Sequence, residues 1–390
     1  MKVAMVTGSA GDGHCGVGDY AYELAQHLAL DAEVHLYYAK GFSPAQPPYS
    51  KLHTLHLHEL GGYSLLMVHG LIRCLREGEY DIIHLQYPSK GFGMAGGPVL
   101  LPRSLHGMHS RSRIVLTLHE YATSHHLRKG VVGEMLPYID ALVLTNEQEL
   151  SGFEGRLEER ALSVMPVGNV LRSQAELEGV WLAAEEQPIP QLPTPCGPTG
   201  RVPDSIFHYG LPAKGKGFDR LLEALKLVRD GGRAVQLYLG GDFPAGSKLS
   251  EEVLGKITEL ELSDAVIRLG HIPREHLQRE AEKYLLGVFP FDEGYSSKRS
   301  SIAAISHFDL PLVVGGGSKE EHPYLAPESN TGASLAVLLL ELISGKLEDI
   351  WEEQVIKQRA YAERFSFARI AAGHQQLYRE LWQGGTKLQL

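Results

Sequence analysis

The sequence predicts an α/β chain of two doubly wound domains, and three observations predict it. Short apolar runs of strand length alternate with helix-length segments along most of the chain. The alternation breaks once, at the prolines of residues 185–203, and then restarts. The length of 390 residues gives each half room for a core of its own. Strands this short, separated by helices, call for a parallel sheet covered on both faces. In such sheets ligands gather at the carboxyl ends of the strands, so the two halves are expected to face a cleft.

In chain order, residues 2–7 form a first buried strand, followed by a glycine-rich turn and a helix over 20–28. Residues 34–38 are a second strand. Residues 44–58 are expected to be irregular, with Pro44, Pro47 and Pro48 close together. A helix over 65–76 precedes strands at 81–85, 113–119 and 141–145. These make an N-terminal domain of residues 1–185. Pro188, Pro190, Pro193, Pro195, Pro198 and Pro203 make 186–204 a linker rather than a mere surface loop. A second domain, 205–360, alternates strands at 205–209, 235–241, 266–269 and 312–314 with helices at 218–229, 250–260, 274–284 and 334–344. Helical segments through 351–364 and 367–382 end the chain, and residues 361–390 are set apart as a terminal helix.

Bulk composition excludes several classes. Hydrophobic content of 43% with 22% charged residues describes an ordinary globular protein. A formal net charge of −10 argues against nucleic-acid binding, which rests on neutralising phosphates. Cys15, Cys74 and Cys196 are too few and scattered for a disulfide framework or a zinc site, which suits a reducing cytosol. No secretory leader and no membrane span is expected, because residues 2–6 are a strand-length run and no apolar run approaches ~18–20 residues.

Gly11-Asp12-Gly13-His14-Cys15-Gly16 matches the dinucleotide fingerprint after a strand and before a helix. NAD is disfavoured, because the glycines begin several residues past Thr7 and the second strand ends Tyr37-Tyr38-Ala39-Lys40, without a carboxylate for the ribose. Gly16-Val17-Gly18 fits better as a helix start whose backbone approaches a ligand, a purely structural glycine turn being the other reading. In the second half, the strand ending Val288-Phe289 runs into Pro290-Phe291-Asp292-Glu293-Gly294-Tyr295-Ser296-Ser297-Lys298-Arg299-Ser300-Ser301. A strand, a polar loop and a helix start make a place to hold an anion.

Cys15-Gly16-Val17-Gly18-Asp19-Tyr20, the strand end His119-Glu120-Tyr121, Gly215-Lys216-Gly217-Phe218 and the Pro290–Ser301 stretch together resemble the retaining GT-B glycosyltransferases, specifically glycosyltransferase family 4. The resemblance spans nearly the whole chain in the family's motif order. It implies two Rossmann-like domains, a nucleotide-diphosphate-sugar donor on the C-terminal one, a hydroxyl acceptor on the N-terminal one, no metal or other cofactor, and a C-terminal helix crossing back to the first domain. It further implies that Lys216 reaches the diphosphate, His119 lies near the donor sugar, and Gly241 turns near the nucleotide base. Gly168-Asn169 matches a further loop. Glu293 takes the first place of the family's paired glutamates, beside the transferred sugar. The second place holds Ser301, which offers only a weaker, neutral hydrogen bond. The arginine that usually precedes the lysine is Leu211 here, so Lys214 or Arg299 is expected to substitute. Backbone N–H groups of Tyr295, Ser296 and Ser297 complete the expected donor site. Independent chemistry agrees, since breaking a sugar–diphosphate bond needs fixed cations and N–H donors at the leaving group.

The rival readings are a nucleotide-sugar epimerase or hydrolase on the same fold, and a catalytically silent two-lobed sugar-binding protein. His53, His56 and His58, like His125 and His126, are expected to be solvated loop residues without a carboxylate at metal spacing. Arg103, His106, Arg111 and Arg113 form a basic cluster, suited to an anionic acceptor or to lipid headgroups on the inner face of a membrane, a plain wet face being the other reading.

Overall fold

The computed structural model describes residues 1–11, 15–44, 54–93, 95–106, 111–122, 124–153, 161–168, 197–297, 299–318 and 321–384. The chain divides into two compact units, Met1–Glu186 with Phe365–Leu390, and Gln187–Arg364. Most of the proline-rich segment expected at 186–204 lies outside the described residues.

In the first unit, β1 (Lys2–Val6), α1 (Gly16–Leu28), β2 (Glu33–Ala39), β3 (Leu55–Leu60), α2 (Leu65–Glu77), β4 (Ile82–Tyr87), α3 (Gly97–His106), β5 (Arg113–Leu118), α4 (His126–Met135), β6 (Ala141–Leu144) and β7 (Ala161–Val164) build one sheet, ordered β3-β2-β1-β4-β5-β6-β7. All pairings are parallel. Successive residues alternate faces along a strand. Val3 and Met5 therefore enter one apolar core with Leu24 and Leu36, while Ala4 and Val6 enter another with Leu71, Ile83 and Leu116.

The structure corrects the expectation for residues 55–58, which form β3 rather than an irregular segment. Its alternation of Leu55, His56, Leu57 and His58 is a period-two strand pattern in parallel register with β2, His35 opposite His56 and Tyr37 opposite His58. The histidines looked like polar loop residues because the three prolines precede them at once.

In the second unit, β8 (Ser205–Tyr209), α5 (Phe218–Asp230), β9 (Gln236–Gly240), α6 (Lys248–Glu259), β10 (Val266–Gly270), α7 (Arg274–Ala281), β11 (Leu286–Phe289), α8 (Ser300–Ile305), β12 (Leu312–Val314), α9 (Gly332–Glu341) and α10 (Leu347–Ala362) give a parallel sheet ordered β10-β9-β8-β11-β12. Its core joins Ile206, Leu237 and Val288 of the sheet to Leu221, Leu225 and Trp351 of the helices.

The last helix, α11 (Phe367–Trp382), belongs to the first unit. Ser366 caps it by accepting the Arg369 N–H at 3.3 Å. Its buried face, Phe367, Ile370, Ala371, His374, Leu377, Tyr378 and Leu381, follows helical spacing. Gly168 is required there, since a Cβ would lie 2.3 Å from the Phe367 ring. Asn169 lies outside the described residues. No helix among the described residues is long and apolar enough to cross a membrane.

Candidate functional site

In the second unit the strand order reverses between β8 and β11, and the loops leaving those two strands are bound together. Gly217, at φ 73°, precedes α5, and a Cβ there would fall 1.6 Å from the Pro290 carbonyl, so the contact admits glycine alone. The Asp292 N–H donates to the Gly215 carbonyl at 3.1 Å. Arg220 donates to the Pro290 carbonyl at 3.1 Å and pairs with the Asp292 carboxylate. On the far side, Asn330 Nδ2 donates to the carbonyls of Phe291 (3.1 Å) and Asp292 (2.6 Å). Gly294, at φ 72°, lets the turn lie against Ser318, whose amide nitrogen would be 2.6 Å from a Cβ. Glu293 sits exposed at the tip of this clamped turn.

The bracket holds two cations against one ring. Lys216 Nζ lies 5.4 Å and the Arg299 guanidinium 4.6 Å from the centre of the buried Phe291 ring. Lys216 Nζ donates to Ser301 Oγ at 3.1 Å. Burial, with Arg299 alongside, lowers the lysine pKa to about 8. Among the described residues neither cation has a carboxylate at ion-pair distance. Arg201 of the same unit shows the structural alternative. Its guanidinium is buried, 3.2 Å from the Asp309 carboxylate, and donates to the carbonyls of Glu282 (2.6 Å) and Tyr284 (3.1 Å).

Around this pair the other sequence-predicted residues separate. Lys214 is exposed, and Leu211 is 54% exposed, so neither adds charge to the cluster. The Tyr295 ring is buried against His322 and Tyr324, which leaves the backbone as what that residue can offer. Ser296 and Ser297 are half-buried, and the Ser296 carbonyl accepts the Arg299 N–H at 2.9 Å. Lys298 lies outside the described residues. α8 is six residues long, and its cap residue Arg299 makes no side-chain capping bond. Gly241 (φ 129°) adjoins Gly210 (φ 145°), and a Cβ on Gly241 would lie 2.7 Å from the Gly210 carbonyl. The ends of β8 and β9 thus meet at side-chain-free backbone. Phe291, Arg220 and Asn330 escaped sequence reasoning. The signal for Phe291 was available, since an aromatic between Pro290 and Asp292 in a polar loop needs something to pack on.

In the first unit, His119 follows β5 and is buried. Its Nε2 lies 2.9 Å from Gln86 Oε1, so Nε2 carries the proton. The Gln86 amide then donates to His84 Nε2 at 3.2 Å, Thr117 Oγ1 donates to the same nitrogen at 2.6 Å, and His84 Nδ1–H donates to the Tyr378 hydroxyl at 2.5 Å. Burial, assisted by His374, lowers the His119 pKa to about 3, and burial takes His374 to about 4. His119 is thus a neutral, sheet-bound imidazole. Gly16 is exposed, with open space where a Cβ would stand, and Val17 is half-buried. Gly18 is buried by its own loop, where a Cβ would sit 2.1 Å from Ser9 Oγ. Residues 12–14 of the glycine fingerprint lie outside the described residues. Arg113 is committed to Asp140 at 3.1 Å and to the Leu381 carbonyl at 3.1 Å, and Arg103 lies over the Tyr138 ring. Two members of the predicted basic cluster, Arg113 and Arg103, thus have contacts within the first unit, while Arg111 is exposed.

Neither a protein-family model nor a curated protein matches the sequence. Solved structures do. HepE of Anabaena, solved in complex with UDP, is 16% identical over 97% of this chain and 100% of that one, with a TM-score of 0.68. Sucrose-phosphate synthase of Thermosynechococcus elongatus is 18% identical over 98% and 100%, with a TM-score of 0.66. A UDP-forming trehalose-phosphate synthase of Burkholderia xenovorans is 13% identical over 97% and 98%, with a TM-score of 0.63. The chain has the fold of these GT-B structures, two parallel sheets flanked by helices.

Proposed function

We propose that the chain is a retaining, metal-independent glycosyltransferase that moves a hexosyl group from a nucleotide diphosphate sugar to a hydroxyl acceptor. The observation that carries the reading is the pair Lys216 and Arg299, held on one ring at the switch point of the second sheet without a carboxylate partner among the described residues. Burying cations without a counter-charge is costly unless a ligand supplies one. A diphosphate supplies it, and gains negative charge as the sugar leaves, so fixed cations stabilise the departing group more than the bound donor. Arg299 takes the part of the arginine replaced by Leu211. Glu293, exposed on its clamped turn, is assigned to the sugar hydroxyls or to positive charge developing on the sugar. His119, neutral with its Nε2–H given to Gln86, positions rather than donates a proton. The departing phosphate takes the acceptor proton on the same face, which preserves anomeric configuration. The fold's occurrence in proteins solved with UDP supports a uridine donor as the first to try.

A thermal-shift screen of UDP-, GDP-, ADP- and TDP-sugars tests the proposal, since a ligand that binds only the folded chain raises its stability. One donor is expected to raise the melting temperature, and Lys216→Ala with Arg299→Ala to abolish the shift. A shift that survives both substitutions would remove the cationic pair from the donor site. Product analysis with and without acceptor alcohols separates transfer from epimerisation and hydrolysis.

A further inference from the structure

We propose that Glu33, His35 and His56 form a binding site for one divalent transition-metal ion of the zinc class, at the β2–β3 edge of the first sheet, with His58 orienting His35 from behind. The site is distinct from the residues assigned to donor binding.

The register builds it. Glu33 and His35 are two residues apart on β2 and so share a face, and His35 lies directly opposite His56 on the edge strand β3. One ligand atom from each of the three lies within 4.8 Å of the others. That spacing is close to what one small ion needs, because ligands at ~2.0–2.2 Å around a zinc ion stand only a few ångströms apart. Imidazole nitrogens with one carboxylate oxygen suit zinc, copper or nickel rather than magnesium or calcium. Three protein ligands leave a fourth position to water.

His58 supplies the second requirement of such a site. A ligating histidine usually gives its other ring N–H to an acceptor that fixes the tautomer. His35 Nε2 lies 2.9 Å from Glu33 Oε1, and His35 Nδ1 lies 2.9 Å from His58 Nε2. With an ion on Nε2, the His35 proton sits on Nδ1 and is donated to His58 Nε2, and the His58 proton moves to its own Nδ1. The His58 ring is in turn held by the Tyr37 ring, 4.6 Å away and 17° from parallel. The facing charged and titratable groups are Lys2 of β1, whose Nζ is 3.3 Å from Glu33, and Tyr80, edge-on to His35 at 5.1 Å. Lys2 is the competitor. An exposed ion pair of this kind is weak and yields to a divalent ion.

Titration of the full chain, free of any affinity tag, with ZnCl₂ in a calorimeter at pH 7.5 tests the proposal. One saturable ion per chain is expected. His56→Ala removes an exposed side chain and leaves the fold intact, as far-UV circular dichroism checks. It is expected to weaken binding at least about tenfold, since even the partners behind a ligand cost about 10–100-fold when lost. Glu33→Gln should act alike and His58→Ala more mildly, while His125→Ala, on α4's cap, should change nothing. Co²⁺ should give visible absorption bands in the wild type that His56→Ala loses. Absence of stoichiometric binding, or binding unchanged in His56→Ala and Glu33→Gln, would overturn the site.

Discussion

Both units gather ionisable side chains beside their sheets, and they do so in opposite ways. The first unit holds His84, His119 and His374 neutral, with His84 linked to His119 through Gln86 and bonded also to Thr117 and Tyr378. The second holds Lys216 and Arg299 side by side, with a ring and a serine hydroxyl for company. Neutral groups that satisfy one another fix a structure, here the seating of α11 on β4. Like charges left to repel one another are a standing cost that a bound anion removes.

The largest effect is expected where the charge is. Removing Lys216 or Arg299 should weaken donor binding by about 10–150-fold each, the equivalent of ~1.5–3 kcal/mol for a hydrogen bond to a charged group. Calorimetric titration of the donor checks this. Lys216→Met should also raise the melting temperature of the ligand-free protein at pH 7. The sign follows from linkage. Folding lowers the lysine pKa to about 8, so between that value and the ordinary lysine range the unfolded chain binds more protons, and stability rises with pH through that window. Below it the buried charge is a full penalty, which methionine abolishes. Donor affinity should run the other way and fall as pH climbs past about 8, a slope that Lys216→Met erases. A variant that loses affinity and stability together would mean that the lysine is a structural prop.

The first unit should respond to acid instead. His119 and His374, at about 3 and about 4, bind protons far less readily folded than unfolded, where a histidine titrates near ~6.5. Stability is therefore complete above that value and lost as pH falls through it. Urea titrations at pH 7.0 and 5.0 should show the decline. Tyr378→Phe strips the acceptor from His84 Nδ1–H and is expected to cost ~1–3 kcal/mol at pH 7, as a buried donor left unpaired does. An unchanged midpoint would show that the network does not hold α11.

Much of this was legible in the residues. The two β/α series needed only their period, and the run from Pro290 to Ser301 announced itself by placing glycine, serines and cations after a buried strand. What stayed hidden depends on contacts between distant strands. β3 was missed because its histidines follow three prolines, and the carboxylate beside them because Glu33 lies on another strand. Arg299 could be proposed in place of the arginine absent at Leu211, but not preferred to Lys214. That preference comes from Phe291, whose ring gathers Lys216 and Arg299 while Lys214 stays in solvent.

The smallest effect in the second unit belongs to Ser301. Its hydroxyl accepts from Lys216 at 3.1 Å, a neutral acceptor serving a cation that a diphosphate would serve better. Ser301→Ala therefore removes one hydrogen bond from the ligand-free cluster and leaves both charges in place. Glu293 is different, because nothing else on its turn offers a free carboxylate, Asp292 being bound by Arg220. Glu293→Gln keeps the shape and removes the charge, so turnover should fall far more than in Ser301→Ala, while donor affinity changes little in either. Steady-state rates and donor titrations on the two variants give the ranking. Equal losses of turnover would mean that Glu293 acts only as a hydrogen-bond partner, and a loss of donor affinity confined to Ser301→Ala would move the serine from the lysine's support to the donor itself.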